Sequence, residues 1–195
     1  MSSAERILLT PQEYLARERK AEFKSEYYRG ETFAMAGASW EHALVKDNTA
    51  HYARIELDDV PCRVVTSDLR VLVDKTGLYT YPDIIVVCDE PQFEDKMFDT
   101  LLNPRVLMEV LSDSTKGYDR GDKFVHYRKV PSLQEYVLIA QDEPLVERHV
   151  RQPNGDWLMT EFRGLEQALA LTSVPAKIAL ADIYRGVEFP ENVGR

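Results

Sequence analysis

Two carboxylates lie in segments that are otherwise apolar and strand-like. Asp83 immediately precedes the apolar run 84–87, and Glu109 lies inside the apolar run 106–111. An unpaired carboxylate buried in such a strand costs roughly several kcal/mol, so each acid needs a cation, a metal ion or hydrogen-bond donors. An Asp at the head of one central strand and a Glu within the next could bind one ion, since hard divalent cations need oxygen ligands. The pair therefore indicates a divalent metal site.

Each acid also has a purely structural interpretation. Glu109 could pair with a lysine or arginine across the sheet, and Pro82-Asp83 could be only a bend at the start of a strand. For either acid taken alone this interpretation is the simpler one, because buried charges are often neutralised by one partner. Only the two acids together favour a metal site.

Length and composition are those of an ordinary globular protein. The 195 residues are enough for one hydrophobic core, so we predict a single domain over residues 1–195. The hydrophobic share of 44% and the charged share of 29% favour neither a disordered nor a membrane-embedded chain. No apolar run approaches the ~20 residues of a membrane span, and the N-terminus lacks the pattern of a secretory signal. We therefore expect a cytoplasmic protein without membrane partners.

The charge balance weighs against an avid DNA-binding protein. The net charge of −9, from 24 basic and 33 acidic residues, repels a polyanion at long range. A nuclease remains compatible with this charge, since a metal ion and a local basic patch can neutralise phosphate at close range.

The cysteines are few. Cys62 and Cys88 are the only two, and both lie in or beside apolar strand-like runs. We predict that each packs as a small hydrophobe and that neither a disulfide framework nor a zinc site is formed.

The pattern of helix and strand signals predicts an α/β (α+β) fold, a mixed β-sheet flanked by helices. Residues 10–13 form a capping box for a helix to about Ala21, and Ser39 caps a second helix over 40–57. A third helix is predicted with its N-cap among residues 112–115 and its end before Pro131, with Gly121 as its weak point. Asn154-Gly155 predicts a tight hairpin. Strands are predicted at 23–28, 31–35, 63–66, 69–73, 78–88, 106–111, 135–140, 145–151 and 157–162.

The sequence resembles the PD-(D/E)XK nuclease superfamily and, within it, the Uma-type family of restriction-endonuclease-like proteins. The resemblance runs from about Thr10 to Tyr184. It implies a restriction-endonuclease-like fold and metal-dependent hydrolysis of phosphodiester bonds in nucleic acid, with DNA favoured over RNA and the choice between them left open. The segments that carry it are Glu26 with Arg29-Gly30-Glu31, Gly37 to His42, Ser67-Asp68, Tyr81-Pro82-Asp83, Glu109-Val110-Leu111-Ser112, Lys123 with Tyr127, and Glu135-Tyr136.

The resemblance also implies roles for individual residues. Asp83, Glu109 and the backbone carbonyl of Val110 are expected to coordinate Mg²⁺ or Mn²⁺, which would polarise the scissile phosphate and lower the pKa of an attacking water. Glu26 and Glu31 are candidates for a further ligand or base, with Glu26 favoured. Two exposed charges on a hairpin are an equally open interpretation of these glutamates.

One position departs from the superfamily pattern. The residue two positions after Glu109, where lysine is expected, is Leu111, which can neither orient water nor stabilise a pentacovalent phosphate. The resemblance implies that Lys123 supplies the ammonium from the following helix, whereas a solvated basic face is the alternative. Helical spacing groups Lys116, Arg120, Lys123 and Tyr127 on one face.

Weaker signals and a rival function complete the prediction. We assign His42 a supporting role at most, and Ser67-Asp68 is either a strand-end turn or an acid near the metal. The rival function is a catalytically degenerate protein that keeps the fold for binding or assembly, since the usual lysine is missing and the net charge is acidic. A homodimer is expected, because a sheet of this size exposes edge strands that need cover.

Overall fold

Helices and strands follow one another in an order typical of a mixed α+β fold. The computed structural model describes residues 8–189. Its helices are α1 (Pro11–Glu18), α2 (Trp40–Glu56), α3 (Lys116–Tyr118), α4 (Phe124–Tyr127) and α5 (Leu180–Ile183), and a π-helical turn (Asp119–Lys123) joins α3 to α4. Its strands are β1 (Ser25–Tyr28), β2 (Glu31–Ala34), β3 (Cys62–Thr66), β4 (Arg70–Val73), β5 (Leu78–Thr80), β6 (Ile84–Cys88), β7 (Thr100–Leu101), β8 (Val106–Leu111), β9 (Glu135–Ala140), β10 (Leu145–Arg151), β11 (Trp157–Arg163), β12 (Ala168–Ala170) and β13 (Lys177–Ala179).

The strands form two large sheets and a short hairpin. The six-stranded sheet has the order β11-β10-β9-β8-β6-β3, and the five-stranded sheet has the order β2-β1-β5-β4-β7. In the six-stranded sheet β8 and β9 are parallel, and the other neighbouring strands are antiparallel. This arrangement confirms the predicted mixed sheet flanked by helices.

The central strands β6, β8 and β9 of the six-stranded sheet are buried on both faces. Val45 and Ala53 of α2 pack with Met108 and Val110 on one face. On the other face a second core contains Leu107 and Leu111, together with side chains of α4 and the five-stranded sheet. Burial on both faces explains why β6 and β8 read as continuous apolar runs. Because side chains alternate along a strand, Glu109 shares its face with Leu107 and Leu111.

Local sequence signals account for several element boundaries. The Thr10 side chain accepts a hydrogen bond from the Glu13 amide, and the Glu13 side chain accepts one from the Thr10 amide, as predicted for a capping box. The β1–β2 turn has Arg29 at φ 49° and Gly30 at φ 92°, and a β-carbon added at Gly30 would lie 2.9 Å from that of Leu8. The predicted hairpin turn at Asn154-Gly155 is also present between β10 and β11.

The segment 78–88 was predicted as one strand, but it forms two, β5 and β6, so its predicted continuity is wrong. The chain leaves the five-stranded sheet after β5, crosses over residues 81–83, and enters the six-stranded sheet as β6. Pro82 cannot donate a ladder hydrogen bond, which favours a break at this point. The crossing places Asp83 at the junction of the two sheets.

The prediction for the cysteines is also wrong. Cys62 and Cys88 are directly opposite partners in the antiparallel β3–β6 pair, and they form a disulfide with a Cα–Cα distance of 4.1 Å. Apolar surroundings therefore did not decide their state, because the strand register brings the two thiols together.

The expected cytoplasmic location stays a prediction. Over residues 8–189, no helix is long and apolar enough to cross a membrane.

Candidate functional site

Asp83 and Glu109 lie next to each other at the end of the β6–β8 pair. Ile84 pairs with Met108, so the register places the two acids opposite one another one step beyond the ladder. The Asp83 amide donates to Glu109 Oε2 at 3.3 Å, and the Val110 amide donates to Asp83 Oδ2 at 2.9 Å. The structure thus brings together two acids that the sequence separates widely.

Glu109 is bound by two groups from the helical segment above it. Lys123 Nζ lies 2.9 Å from Glu109 Oε1, and the Tyr127 hydroxyl donates to the same oxygen at 2.9 Å. Glu109 is 4% exposed, Lys123 is 6% exposed and Tyr127 is fully buried. Lys123 therefore reaches the acid pair from the helix that follows β8, despite Leu111 at the usual lysine position.

Lys123 contacts two further carboxylates. Its Nζ lies 3.3 Å from Glu26 Oε1 of β1 and 3.3 Å from Asp119 Oδ1 of the π-helical turn. Thr80 of β5 donates a hydrogen bond to Glu26. We call Lys123 with Glu26, Glu109 and Asp119 the Lys123 cluster. One ammonium thus faces three carboxylates in a site with little exposure to solvent.

The pKa values in the cluster reflect this excess of acid. Burial raises the pKa of Glu109 to about 8, because the attraction of Lys123 does not offset burial together with the repulsion of Asp119 and Asp83. Burial by itself would lower the pKa of Lys123, but the attraction of Glu109, Glu26 and Asp119 raises it well above its usual value. Lys123 is therefore a permanent cation at neutral pH.

Asp83 has a different environment from Glu109. Its side chain is 18% exposed, and His42 Nε2 lies 3.2 Å from Asp83 Oδ1. Burial would raise the pKa of Asp83, but contacts with His42, the Val110 amide and Lys123 together lower it. The amide of Ser67, whose φ is 42°, donates a hydrogen bond to the Asp83 carbonyl oxygen with an N–O distance of 3.1 Å. Asp83 is thus the ionised and more accessible acid of the pair.

The remaining predicted residues are placed as follows. Glu31 lies opposite Tyr28 in the β1–β2 hairpin, and Glu26 of the same hairpin contacts Lys123. Asp68 pairs with Lys24 at 2.7 Å, and its side chain is 90% exposed. This contact agrees with the interpretation of Ser67-Asp68 as a strand-end turn.

Of the four side chains predicted on one helical face, Lys123 and Tyr127 both reach Glu109, but the placement of Lys116 and Arg120 beside them is wrong. Lys116 pairs with Asp113 at 2.8 Å, and Arg120 pairs with Glu147 at 2.6 Å, whereas Lys123 points into the site. The π-helical turn at Asp119–Lys123 changes the angular step along the segment, so α-helical spacing no longer applies across it. The weak point predicted at Gly121 lies within this turn.

Asp119 is the site residue that sequence reasoning missed. It is 3% exposed, and its carboxylate lies beside Lys123. Its position four residues before Lys123 is a spacing at which helical side chains meet, which could have identified it. Nothing in the residues around Asp119 indicates that this acid is buried.

The donor set around Asp83 is compatible with a hard cation. Among residues 8–189 no group of three or more His, Cys, Asp or Glu side chains has the arrangement of a metal site. Two carboxylates are adjacent, however, and the Val110 amide points at Asp83. A strand residue directs its N–H and C=O to the same side, so the Val110 carbonyl faces this side as well. These oxygen donors fit magnesium or manganese chemistry.

Comparison with solved structures agrees with this architecture. A crystal structure from Anabaena variabilis ATCC 29413, titled "a putative nuclease belonging to DUF820", superposes with a TM-score of 0.73 at 19% identity and covers 90% of this chain and 97% of that one. At this identity the likeness concerns the fold. The chain thus has a restriction-endonuclease-like α+β fold.

Sequence relatives define the family. Residues 11–181 match the family described as "Uma2: Putative restriction endonuclease". Of two relatives from Synechocystis sp. PCC 6803, "Uncharacterized protein sll1609" is 39% identical over 80% of this chain and 89% of its own length. "Uncharacterized protein slr1290" is 35% identical over 93% of this chain and 94% of its own length. The chain belongs to the Uma2 family, and the predicted resemblance is confirmed.

Proposed function

We propose that this protein is a metal-dependent nuclease that hydrolyses phosphodiester bonds in nucleic acid, with DNA as the preferred substrate. The observation that supports this most is the adjacency of Asp83 and Glu109, with Lys123 Nζ 2.9 Å from Glu109. A pair of acids beside a buried lysine is a group of charges that phosphodiester hydrolysis can use. Family membership points to the same class of reaction.

Asp83, Glu109 and the Val110 carbonyl would hold the metal ion. A bound Mg²⁺ or Mn²⁺ would supply Lewis acidity at the scissile phosphate and lower the pKa of water. Asp83 suits a ligand role because its carboxylate is ionised and the more accessible of the two. His42 would hold that carboxylate in position through its 3.2 Å contact with Oδ1.

Lys123 would supply a fixed positive charge next to the phosphate. Its ammonium stays protonated, and three carboxylates hold it in place, so no reorientation is needed as negative charge develops on phosphate oxygens. Glu26 would accept the proton of the attacking water as the new P–O bond forms and the bond to the leaving oxygen breaks. Its contacts with Lys123 and Thr80 support this role, since they position its carboxylate.

Cleavage assays on plasmid and single-stranded DNA test this proposal. With Mn²⁺ or Mg²⁺ the wild type is expected to cut, and Asp83→Ala is expected to lose activity. Asp113→Ala is the matched control, since Asp113 is an exposed acid that pairs with Lys116 outside the cluster. Equal cleavage by Asp83→Ala, or no cleavage by the wild type with either metal, would count against the proposal.

A catalytically degenerate binding or assembly module is the second candidate. The contact that favours it is the Glu109–Lys123 ion pair, because it could neutralise Glu109 without a metal. Glu109→Gln would then alter the free energy of unfolding but not manganese affinity. Titration calorimetry with manganese decides, since weaker manganese binding by Glu109→Gln supports the nuclease and unchanged binding supports the module.

We also propose that residues 1–195 form a single cytoplasmic domain that assembles as a homodimer. The edge strand β11 supports the dimer, since it is a seven-residue strand at the end of the six-stranded sheet. Long edges of this kind are commonly covered in native proteins. Light scattering coupled to size exclusion tests the dimer, and a monomeric mass at micromolar concentration would contradict it.

A further inference from the structure

Exposed apolar side chains lie on edge strand β2, on the face that carries Glu26. Phe33 is 49% exposed and lies directly opposite Glu26 in the β1–β2 register. Directly opposite residues project from the same face, with β-carbons about 4.5–5.5 Å apart. Met35, directly after β2, is 36% exposed and lies two pairs further along on the same face, since its amide donates to the Lys24 carbonyl. We call Phe33 and Met35 the apolar rim.

The rim faces the same side as the Lys123 cluster. Glu26 points from this face to Lys123 Nζ, 3.3 Å away, so Phe33 stands beside one of the acids of the site. Strand β2 is at the edge of the five-stranded sheet, so no further strand of that sheet covers Phe33 on its outer side. A second exposed ring, that of Trp40, opens the helix that brings His42 to Asp83 and is 72% exposed.

The basic residues near the site are poorly suited to hold a duplex. Lys24, Lys116 and Arg120 each form an ion pair with a carboxylate, at 2.6 to 2.8 Å. A phosphate that approaches one of these cations also meets its acid. Affinity for duplex DNA depends mainly on neutralised phosphates, and the chain carries a net charge of −9. Contacts other than phosphate contacts must therefore contribute to substrate binding.

We propose that the substrate is an unpaired stretch of nucleic acid, with a base stacked on Phe33 beside the nucleotide whose phosphate lies at Asp83 and Glu109. A duplex hides the faces of its bases, whereas single strands offer them to aromatic side chains. Such stacking tolerates any base, since every base has a π-face. The inference rests on the proposed nuclease function and specifies its substrate class.

Binding of labelled oligonucleotides to the full chain tests the inference. Fluorescence anisotropy with calcium in place of manganese compares a fluorescein-labelled 20-mer of thymidine with a duplex of the same length. We expect tighter binding of the single strand. Phe33→Ala should weaken it by about 5- to 150-fold and leave duplex binding unchanged. Phe33→Tyr, which keeps the ring, should bind like the wild type.

Phe98→Ala is the matched control. Phe98 is 66% exposed and precedes β7, at the opposite edge of the same sheet, so its loss should not change binding. Preference for the duplex, absence of any binding, or equal loss of both ligands in Phe33→Ala would overturn the inference. A drop in the mass of Phe33→Ala by light scattering would also overturn it, because the rim would then be an interface between copies.

The outcomes separate this inference from the nuclease proposal. Cleavage of single-stranded DNA by the wild type and Phe33→Ala with equal efficiency would support a nuclease and overturn the stacking role. Ring-dependent binding without cleavage in manganese would support the rim as a single-strand binding surface and contradict the nuclease.

Discussion

Two groups of charged side chains flank the 81–83 crossing, one of them partly exposed and the other buried, and they differ in charge balance. In the Arg70 network, Arg70 Nη2 lies 2.8 Å from Asp99, and Arg19 pairs with both Asp99 and Asp95. Arg70 also donates to the Tyr81 hydroxyl at 2.8 Å. Two guanidinium groups thus face two aspartates. In the Lys123 cluster, one ammonium faces three carboxylates.

The pKa shifts of Asp99 and Glu109 reflect the same difference in charge balance. The hydrogen bond from Arg19, with the attraction of Arg70, holds the pKa of Asp99 well below its usual range despite partial burial. Burial and neighbouring acids raise the pKa of Glu109. A balanced network stabilises the fold by itself, whereas an excess of buried acid has unused affinity for another cation. Imbalance of this kind is typical of functional sites.

Replacement of the central cation, Lys123 in one region and Arg70 in the other, should give the largest difference in the free energy of unfolding between the two regions. Lys123→Met leaves three buried carboxylates without a counter-charge, and breaking a buried pair in this way costs about 3–5 kcal/mol. Arg70→Met should cost less, because Asp99 keeps Arg19. Urea denaturation followed by circular dichroism measures both losses, and an equal or larger loss in Arg70→Met would contradict the comparison.

Manganese should stabilise the fold through Asp83 and the acids beside Lys123, and not through the Arg70 network. A ligand that binds the folded state alone adds about 2.7 kcal/mol to the free energy of unfolding at a hundred times its Kd. We expect a gain of this order for the wild type and for Asp99→Asn, and none for Asp83→Ala. Urea titrations with and without manganese check this, and a gain retained by Asp83→Ala would remove that acid from the site.

The two regions should respond to pH in opposite directions. Because folding raises the pKa of Glu109 from 4.5, the folded protein holds a proton that the unfolded chain has lost. The free energy of unfolding without metal should therefore fall as pH rises from 4.5 to about 8, by up to about 1.4 kcal/mol per unit. Folding lowers the pKa of Asp99, so its contribution is present above 3.8 and is lost as pH falls below that value.

Matched amides test these pH responses. Glu109→Gln should flatten the decline between pH 4.5 and 8, and Asp99→Asn should flatten only the acid limb. Thermal unfolding across this range is the measurement. A decline that persists unchanged in Glu109→Gln would assign it to another group.

The smallest effect on the free energy of unfolding is expected for Asp119, one of the three carboxylates that face a single ammonium. Asp119→Asn removes the attraction to Lys123 but also the repulsion from Glu109, and Lys123 keeps two carboxylates, so the free energy of unfolding should change little. Asp99→Asn should cost more, about 1–2 kcal/mol, because hydrogen bonds to charged groups are lost from a partly exposed pair. Chemical denaturation of both variants compares them, and the reverse order would contradict the difference in balance.

Local signals were enough to predict many elements of the fold. The capping box before α1, the Ser39 cap of α2 and the Asn154-Gly155 turn act over a few residues, so the sequence shows them directly. The buried strands β6 and β8 were equally visible, because burial on both faces leaves a continuous apolar run. An acid inside such a run then marked Glu109 as unusual.

The failed predictions share one feature: what decides them is not visible in the local sequence. The Cys62–Cys88 disulfide depends on the β3–β6 register, and the orientation of Lys116 and Arg120 depends on a π-helical turn. The disulfide is set by a contact between segments distant in sequence, and the orientation of the two basic side chains is set by a small change of helical pitch. Neither leaves a pattern within a short window of residues.

The sequence by itself determined that two acids interrupt apolar strands and that a lysine follows on a helical segment. The tertiary structure decided that these groups meet, that Glu26 and Asp119 join them, and that one ammonium is left with three carboxylates. The reason is that chain composition places charges inside or outside the core, but only strand register and helix pitch decide which of them become neighbours.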